Sequence, residues 1–306
     1  MTEAVTIDFT LGSRRLLAVP RRLAVWAFSL EDALASNDPT EQPVTPPPPA
    51  GPDGIKVLSA PVAALPAILA RFPDLIGGAR QDYRRHYIDM TLGFEGYLAR
   101  FSSKTRSTLR RKARKLGEEA GGYRVTEHRT AREVEAFLSL ALPLSARTYQ
   151  ARLLNAGLPD SPAARRVMLE AAEADQLRCF LLHVANEAVA YLALPVAGQT
   201  LVYAHLGYDP AWARLSPGTV LQMDALEHLF GENRYRWFDF TEGEGAHKAL
   251  FGTHDVECTS LMLLRRNFAN RALLSARSGF DAMIHEGKTL AIRSGALGSI
   301  RSLLRA

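Results

Sequence analysis

Ionisable side chains gather in two short stretches of this 306-residue chain. "LVYAHLGYD" carries Tyr203, His205 and Tyr208, and alternation along a strand would put Tyr203 and His205 on one face. "FDFTEGEGAHK" carries Asp239, Glu242, Glu244, His247 and Lys248. Residues of these types move protons: carboxylates and imidazoles accept them, and phenols can give one up. Asp239 stands between Phe238 and Phe240, so its carboxylate needs either a partner, such as Lys248 or an arginine, or a use in chemistry. No G-x-S-x-G occurs, and neither Cys179 nor Cys258 has a recognisable partner, which argues against a covalent route. Both cysteines are expected to be buried free thiols of a reducing cytoplasm.

A third stretch, "RLSPGTVLQMDALEHL" (214–229), opens an amphipathic helix with Ser216, Pro217, Gly218 and Thr219. Helix starts expose unpaired N–H groups and a partial positive charge, so an anion is stabilised there. Gly218 would let a phosphate approach the backbone, Ser216 and Thr219 offer hydroxyls, and Arg214 is the nearby cation. Ordinary capping by Ser216, with Pro217 in the first turn, would account for the same residues without a ligand.

These groups need elements to hold them. "VTIDFTL" and "RRLAVWAFSL" read as strands, and residues 37–54 form a proline-rich loop that cannot build helix or sheet. "APVAALPAILARF" then reads as a helix and "RRHYIDMT" as a strand. Residues 100–116, "RFSSKTRSTLRRKARKL", hold eight basic residues and no acidic one. At about 100° per residue, Phe101, Thr105, Leu109 and Leu116 form one stripe, with most of the basic residues, including Arg110 and Arg111, opposite. Lys112 is the one basic residue on the apolar side. Two helices follow, the second capped by Ser161 with Pro162 after it. Three strands come next, turning at Asn186-Glu187 and Gly198-Gln199, and then the helix from 214. The strand "RYRWFDFTEG", the short helix "EGAHKALFG" and the strand "ECTSLMLLRR" complete this part.

No apolar run is long enough for a transmembrane helix, and the N-terminus does not read as a secretory signal. The net charge of +5 is unevenly spread: residues 265–306 add eight basic residues against Asp281 and Glu286, so the remainder is net acidic. Two basic segments on an acidic body suggest anionic partners. The C-terminal segment, with Leu273, Phe280, Ile284, Leu297, Ile300 and Leu304 among arginines, suits either a membrane surface or packing on the body.

The element order resembles the GNAT N-acetyltransferase superfamily. Three blocks are sharper than the order: "YIDMTLGFEGYLARFSSKTRSTLRRKARKL", "GYDPAWARLSPGTVL" and "FDFTEGEGAHKALFG" are similar to the CelD-like branch, which is related to the Fem-type peptidyltransferases. That resemblance implies an α/β GNAT fold with a mixed, mostly antiparallel sheet, in a tandem arrangement whose N-terminal half is degenerate. It divides the chain into a region 1–120, an acyltransferase domain 121–266 and a basic helical tail 267–306. It also implies an acyl-CoA donor, an amine acceptor and no metal, the pyrophosphate resting on Arg214, Ser216, Gly218 and Thr219. Glu242 is then the favoured general base, with Asp239 and His205 as alternatives, and Tyr208 or Tyr203 as the acid. Lys248, His247, Arg110 and Arg111 would hold the acceptor or its anion. The expected setting is cytoplasmic, at the inner membrane face if the tail binds lipid, with cell-envelope polysaccharide or lipid biosynthesis as the pathway. In some Fem-type relatives the donor is an aminoacyl-tRNA, so tRNA stands as another expected partner. The rival class is a non-catalytic module for anionic surfaces.

Overall fold

A computed structural model describes residues 2–11, 14–35, 45–148, 157–243 and 245–293. The elements run β1 (Thr2–Leu11), β2 (Arg14–Ala27), α1 (Leu30–Ala35), β3 (Gly54–Pro61), α2 (Leu65–Arg71), β4 (Leu75–Asp89), α3 (Gly93–Ala99) and α4 (Ser103–Ala120). They continue with β5 (Arg124–His128), α5 (Ala131–Arg147), α6 (Pro162–Glu173), β6 (Leu177–Val184), β7 (Glu187–Ala197), β8 (Thr200–Val202) and β9 (His205–Tyr208). The last are α7 (Pro217–Gly231), β10 (Trp237–Asp239), α8 (Ala246–Phe251), β11 (His254–Arg265) and α9 (Phe268–Arg293). Two compact units result: Met1–Arg85 with Val256–Ala306, and His86–Asp255. The basic helix α4 therefore falls within the unit that also holds both ionisable stretches.

In the first unit β1 pairs antiparallel with β2, β2 parallel with β3, and β3 antiparallel with β11. Ser29 and Asp32 cap the start of α1 reciprocally, each side chain accepting from the other's backbone N–H. Asp32 is buried; that burial opposes its ionisation, but hydrogen bonds from Thr45 and Ser29 outweigh it and hold the carboxyl below its usual range. Residues 37–44 of the proline-rich stretch lie outside the described residues, and residues 46–53 form no helix or strand. In α9, Leu274 is buried and Leu273 and Phe280 pack with Ile7 and Phe9, so these apolar side chains of the basic tail serve the fold, while Phe268 is exposed. Leu297, Ile300 and Leu304 lie outside the described residues.

The second unit carries its strands in the order β4-β10-β8-β7-β6-β5, with β9 also on β7. All pairs here are antiparallel except β8 with β10. The mixed, mostly antiparallel sheet is the one expected. β6 is buried at every position, and one of its faces packs against α5 through Phe137, Leu138 and Leu144. The opposite face receives α7, whose Val220, Leu221, Ala225, Leu226 and Leu229 are all buried. Leu109 and Leu116 of α4 join that same cluster, which accounts for the predicted apolar stripe. Ser102 caps α4 by accepting from Thr105 N at 3.1 Å, and Gly121 ends it with φ at 69°, a left-handed conformation that glycine adopts without Cβ strain.

Arg178, fully buried in β6, is enclosed by acids: its guanidinium lies 2.9 Å from Asp175, 3.3 Å from Glu232 and 3.7 Å from Glu127, and donates to the Leu177 carbonyl at 2.9 Å. Asp175 also holds Arg129 and Arg234. A charge removed from water is tolerated only when partners surround it, and removing one side strands the other. Arg178→Met is expected to lower unfolding free energy by about 3–5 kcal/mol, the cost of breaking a buried ion network. Adding Glu232→Leu should restore part of that loss. Urea unfolding of the three proteins measures both effects, and an Arg178→Met protein as stable as the parent would show the network to be dispensable.

Candidate functional site

Two neighbouring strands part company in the second unit. β8 and β10 run parallel, with Val202 opposite Asp239, and Tyr203 N then donates to the Asp239 carbonyl at 2.8 Å. Beyond this point β9 follows β7, pairing His205 with Ala193 and Tyr208 with Ala190, while Phe240 N turns to the His86 carbonyl at 3.1 Å. Among the described residues, β7 is the one strand that pairs with β9. Its other edge therefore offers unpaired backbone groups beside a gap between the two strands. This break also corrects the expected geometry: Tyr203 and His205 do not alternate along one continuous strand, because β8 ends at Val202 and β9 begins at His205.

Aromatic rings line the mouth of this gap. Tyr203 packs on Phe238 and Phe240 with ring centroids 5.8 and 5.4 Å away, and His247 of α8 lies 4.6 Å from Phe251 and 6.2 Å from Tyr203. His247 reaches solvent, yet the rings beneath it disfavour its charged form. The positive charges of Lys112 and Lys248 lower its pKa further below 6.5. Its Nε2 lies 2.7 Å from Gln222 Oε1. With Gln222 accepting, Nε2 carries the proton and Nδ1 keeps its lone pair, the tautomer a proton acceptor needs. Gln222 is fully buried in α7, and its Nε2 has no hydrogen-bond partner among the described residues. Burial holds the Tyr203 phenol protonated well above its usual range, and desolvation likewise depresses His205.

The start of α7 differs from a bare anion cradle. Thr219 and Val220 donate their N–H groups to the Ser216 carbonyl at 3.0 and 3.2 Å, and Pro217 has no N–H. Ser216 sits at φ 55° with its hydroxyl capping nothing. The Gly218 N–H is the first-turn group left without a partner among the described residues. A Cβ on Gly218 would lie 3.1 Å from both Leu206 and Tyr208, so the missing side chain serves close packing of α7 on β9, which differs from the expected opening toward a phosphate. Positive charge comes instead from Lys112 of α4, whose Nζ donates to Thr219 Oγ1 at 3.4 Å. The helical wheel singles out Lys112; the fold shows that its side of α4 faces α7. Arg214 is engaged by Glu119 near the end of α4.

The remaining candidates separate. Asp239 is buried and accepts from Thr241 N at 2.8 Å, a turn-forming bond. This backbone group is one partner of the carboxylate. Lys248 donates to the Glu242 carbonyl, and the Glu242 side chain is exposed. Glu244 lies outside the described residues. Arg110 and Arg111 border a surface groove on α4 with Arg106, Arg114, Ser103 and Ser107. Glu127, His228 and Glu232 bring ligand atoms within 4.8 Å of one another, but the Arg178 guanidinium already lies against both carboxylates. Sequence reasoning missed Gln222, whose place in the buried face of an amphipathic helix gives little sign of a role.

Residues 103–249 match the Acetyltransf_6 family, described as an acetyltransferase (GNAT) domain. A search of curated proteins finds no match. Among solved structures, the C-terminal domain of a protein described as a lysylphosphatidylglycerol synthetase, from Agrobacterium fabrum, aligns with TM-score 0.50 at 13% identity, over 74% of this chain and 72% of that one. L-PGS from Bacillus licheniformis aligns at 0.47 and 14%, over 73% and 72%. FemX aligns at 0.49 and 12%, over 86% of this chain and 89% of its own. The fold is GNAT-like.

The electrostatics of His247 can be measured without any substrate. Its imidazole should titrate below 6.5 in an NMR pH series, and Lys112→Met should raise that value, because removing a nearby positive charge favours the imidazolium. An unshifted His247 in the variant would separate Lys112 from this site.

Proposed function

We propose that this chain is an N-acyltransferase that moves an acyl group from an acyl-coenzyme A to an amine, with His247 as the base. The observation that carries this reading is the parting of β9 from β10 with His247, Gln222 and Tyr203 beside it. The free edge of β9 offers backbone partners to the amides of a pantetheine arm. Thr219 and Lys112, with the Gly218 N–H, would receive the pyrophosphate. The orphaned Gln222 amide and the unpaired strand edge are polar groups that a ligand would satisfy.

In this reaction the amine nitrogen forms a C–N bond at the thioester carbonyl, and the C–S bond breaks. His247 Nδ1 takes the proton released from nitrogen. Gln222 fixes the ring by holding Nε2–H, so the lone pair stays on Nδ1. Tyr203, beside the His247 ring, would give its proton to the departing thiolate and recover one from the His247 imidazolium. The base thus moves from Glu242 to His247, because His247 has both an orienting partner and an environment that keeps it neutral. Asp239 and His205 become supporting residues of the strand ends. The acceptor is an amino sugar or a long-chain lipid base of the cell envelope, as the resemblance to the CelD-like branch suggests. Contact with the inner membrane face would then rest on the parts of the tail 267–306 that do not pack on the fold.

Purified protein should consume acetyl-CoA in the presence of an amine drawn from a panel of amino sugars and sphingoid bases. His247→Gln is expected to lower turnover by about 10²-fold or more with CoA affinity unchanged, the scale of a lost general base. The wild-type rate should rise with pH through a pKa below 6.5 and then level. Protein that neither binds a CoA thioester nor consumes one would leave the anionic-surface module, or an aminoacyl-tRNA donor, in its place.

A further inference from the structure

A second cavity, of about 250 Å³, lies in the same unit between α3, α4 and α7. Its walls are apolar, from Phe94, Leu98, Leu109, Val220 and Met223. Thr219 and Val220 bring it to the first turn of α7, the turn that Lys112 reaches. Arg106 and Arg110 border it from the first half of α4, whereas Asp224 is bonded by Tyr123, which follows the end of that helix; Glu95 and Glu227 also line it. Arg106 and Arg110 also line the surface groove on α4, a space of about 540 Å³ shared with Arg111 and Arg114. The cavity is thus open along α4 to a basic trough.

The arginines of this trough are not equivalent. Arg106 donates to the carbonyls of Leu98, Ala99 and Phe101, and so closes the end of α3. Arg114 pairs with Glu118 at 3.6 Å. Arg110 and Arg111 are exposed and make no hydrogen bond or ion pair among the described residues. Asp224, bonded by Tyr123, is half-buried; burial pushes its carboxyl up to about 6, and the charge of Glu227 adds to that.

Resting on the acyl-CoA reading above, we propose that this cavity and trough hold the 3′-phosphoadenosine end of the donor. The adenine would lie between Leu109 and Met223 with its amino group toward Asp224, and the 3′-phosphate on Arg110 and Arg111. Pockets that enclose a whole drug-sized ligand run to about 300–1,000 Å³, so this one takes a single flat ring system. A neutral base with an N–H donor suits an acid such as Asp224, whereas a phosphate suits only the guanidinium side. An amine acceptor fits the cavity poorly, because the acids would hold it as an ammonium, which cannot attack a thioester. The position also agrees: the cavity adjoins the turn assigned to the pyrophosphate and not the strand gap assigned to the thioester.

Calorimetry with CoA and with dephospho-CoA, which lacks only the 3′-phosphate, tests this assignment. Wild-type protein should bind CoA at least about tenfold more tightly, the scale of two charge-assisted hydrogen bonds. The double variant Arg110→Ser, Arg111→Ser should bind both alike, with its dephospho-CoA affinity equal to wild type. Both side chains are exposed, so the variant should fold normally, which circular dichroism checks. Met223→Trp should fill the cavity and weaken both nucleotides, while acetyl-pantetheine, which has no nucleotide, is used as before. Equal wild-type affinity for CoA and dephospho-CoA overturns the assignment even if acetyl-CoA is a substrate. Failure to bind or use any thioester overturns the acyl-CoA reading itself. If an RNA ending in CCA loses affinity in the double variant while CoA does not, the trough belongs to RNA and the assignment also fails.

Discussion

The hydrogen bond from Tyr203 N to the Asp239 carbonyl is the last one that joins two parallel strands, and the candidate site depends on it. Were the ladder to continue, β10 would satisfy the free edge of β9 and no gap would exist. Were it to stop earlier, Tyr203 would leave its place among Phe238, Phe240 and His247. Asp239 secures the parting from the other side. Its buried carboxylate accepts from Thr241 N and bends the chain away, with Thr241 at φ 62°. A carboxylate in an apolar strand is costly; the turn it creates supplies one of its partners.

The same helix serves both proposed halves of a donor site. One face of α7 presents Gln222 to His247, and the adjoining face presents Thr219, Met223 and Asp224 to the cavity beside α4. A helix turns about 100° per residue, so Met223 points about 100° away from Gln222, with Thr219 between them, and Asp224 lies further round. Close packing of α7 on β9 keeps this division fixed, and Gly218 makes that approach possible, since a Cβ there would press on Leu206 and Tyr208. Lys112 links the two faces. It donates to Thr219 on one side and bears electrostatically on His247 on the other.

Basic helix α4 is not a uniform surface. Arg106 ends α3, Arg114 and Lys115 pair with acids one turn on, and Lys112 turns inward. Only part of the charge visible in the sequence therefore remains for a partner, at Lys104, Arg110 and Arg111 among the described residues. Exposed pairs of the Arg114–Glu118 kind contribute roughly 0.3–0.5 kcal/mol. Their main consequence here is that they neutralise one side of the helix and leave the other basic.

The mostly antiparallel sheet followed from the family resemblance; the residues themselves marked the order of most elements from α4 onward, the amphipathic stripe of α4 and the start of α7 at Pro217. These are local properties: periodicity, capping residues and turn residues act within a few positions of one another. The sequence also marked Lys112 as misplaced on its wheel and brought His247 and Tyr203 into the candidate set. Only the tertiary structure decided which of those ionisable groups meet. Glu242 and His247 are five residues apart and look equally able to take a proton, yet packing against three rings and a bond to Gln222, far away in sequence, distinguish His247. The role of Gly218 likewise depends on which strand lies beneath α7, and the break between β8 and β9 on where two neighbours cease to pair. Proton affinity and hydrogen-bond satisfaction are set by surroundings in space, and the chain order of one sequence carries no record of those surroundings.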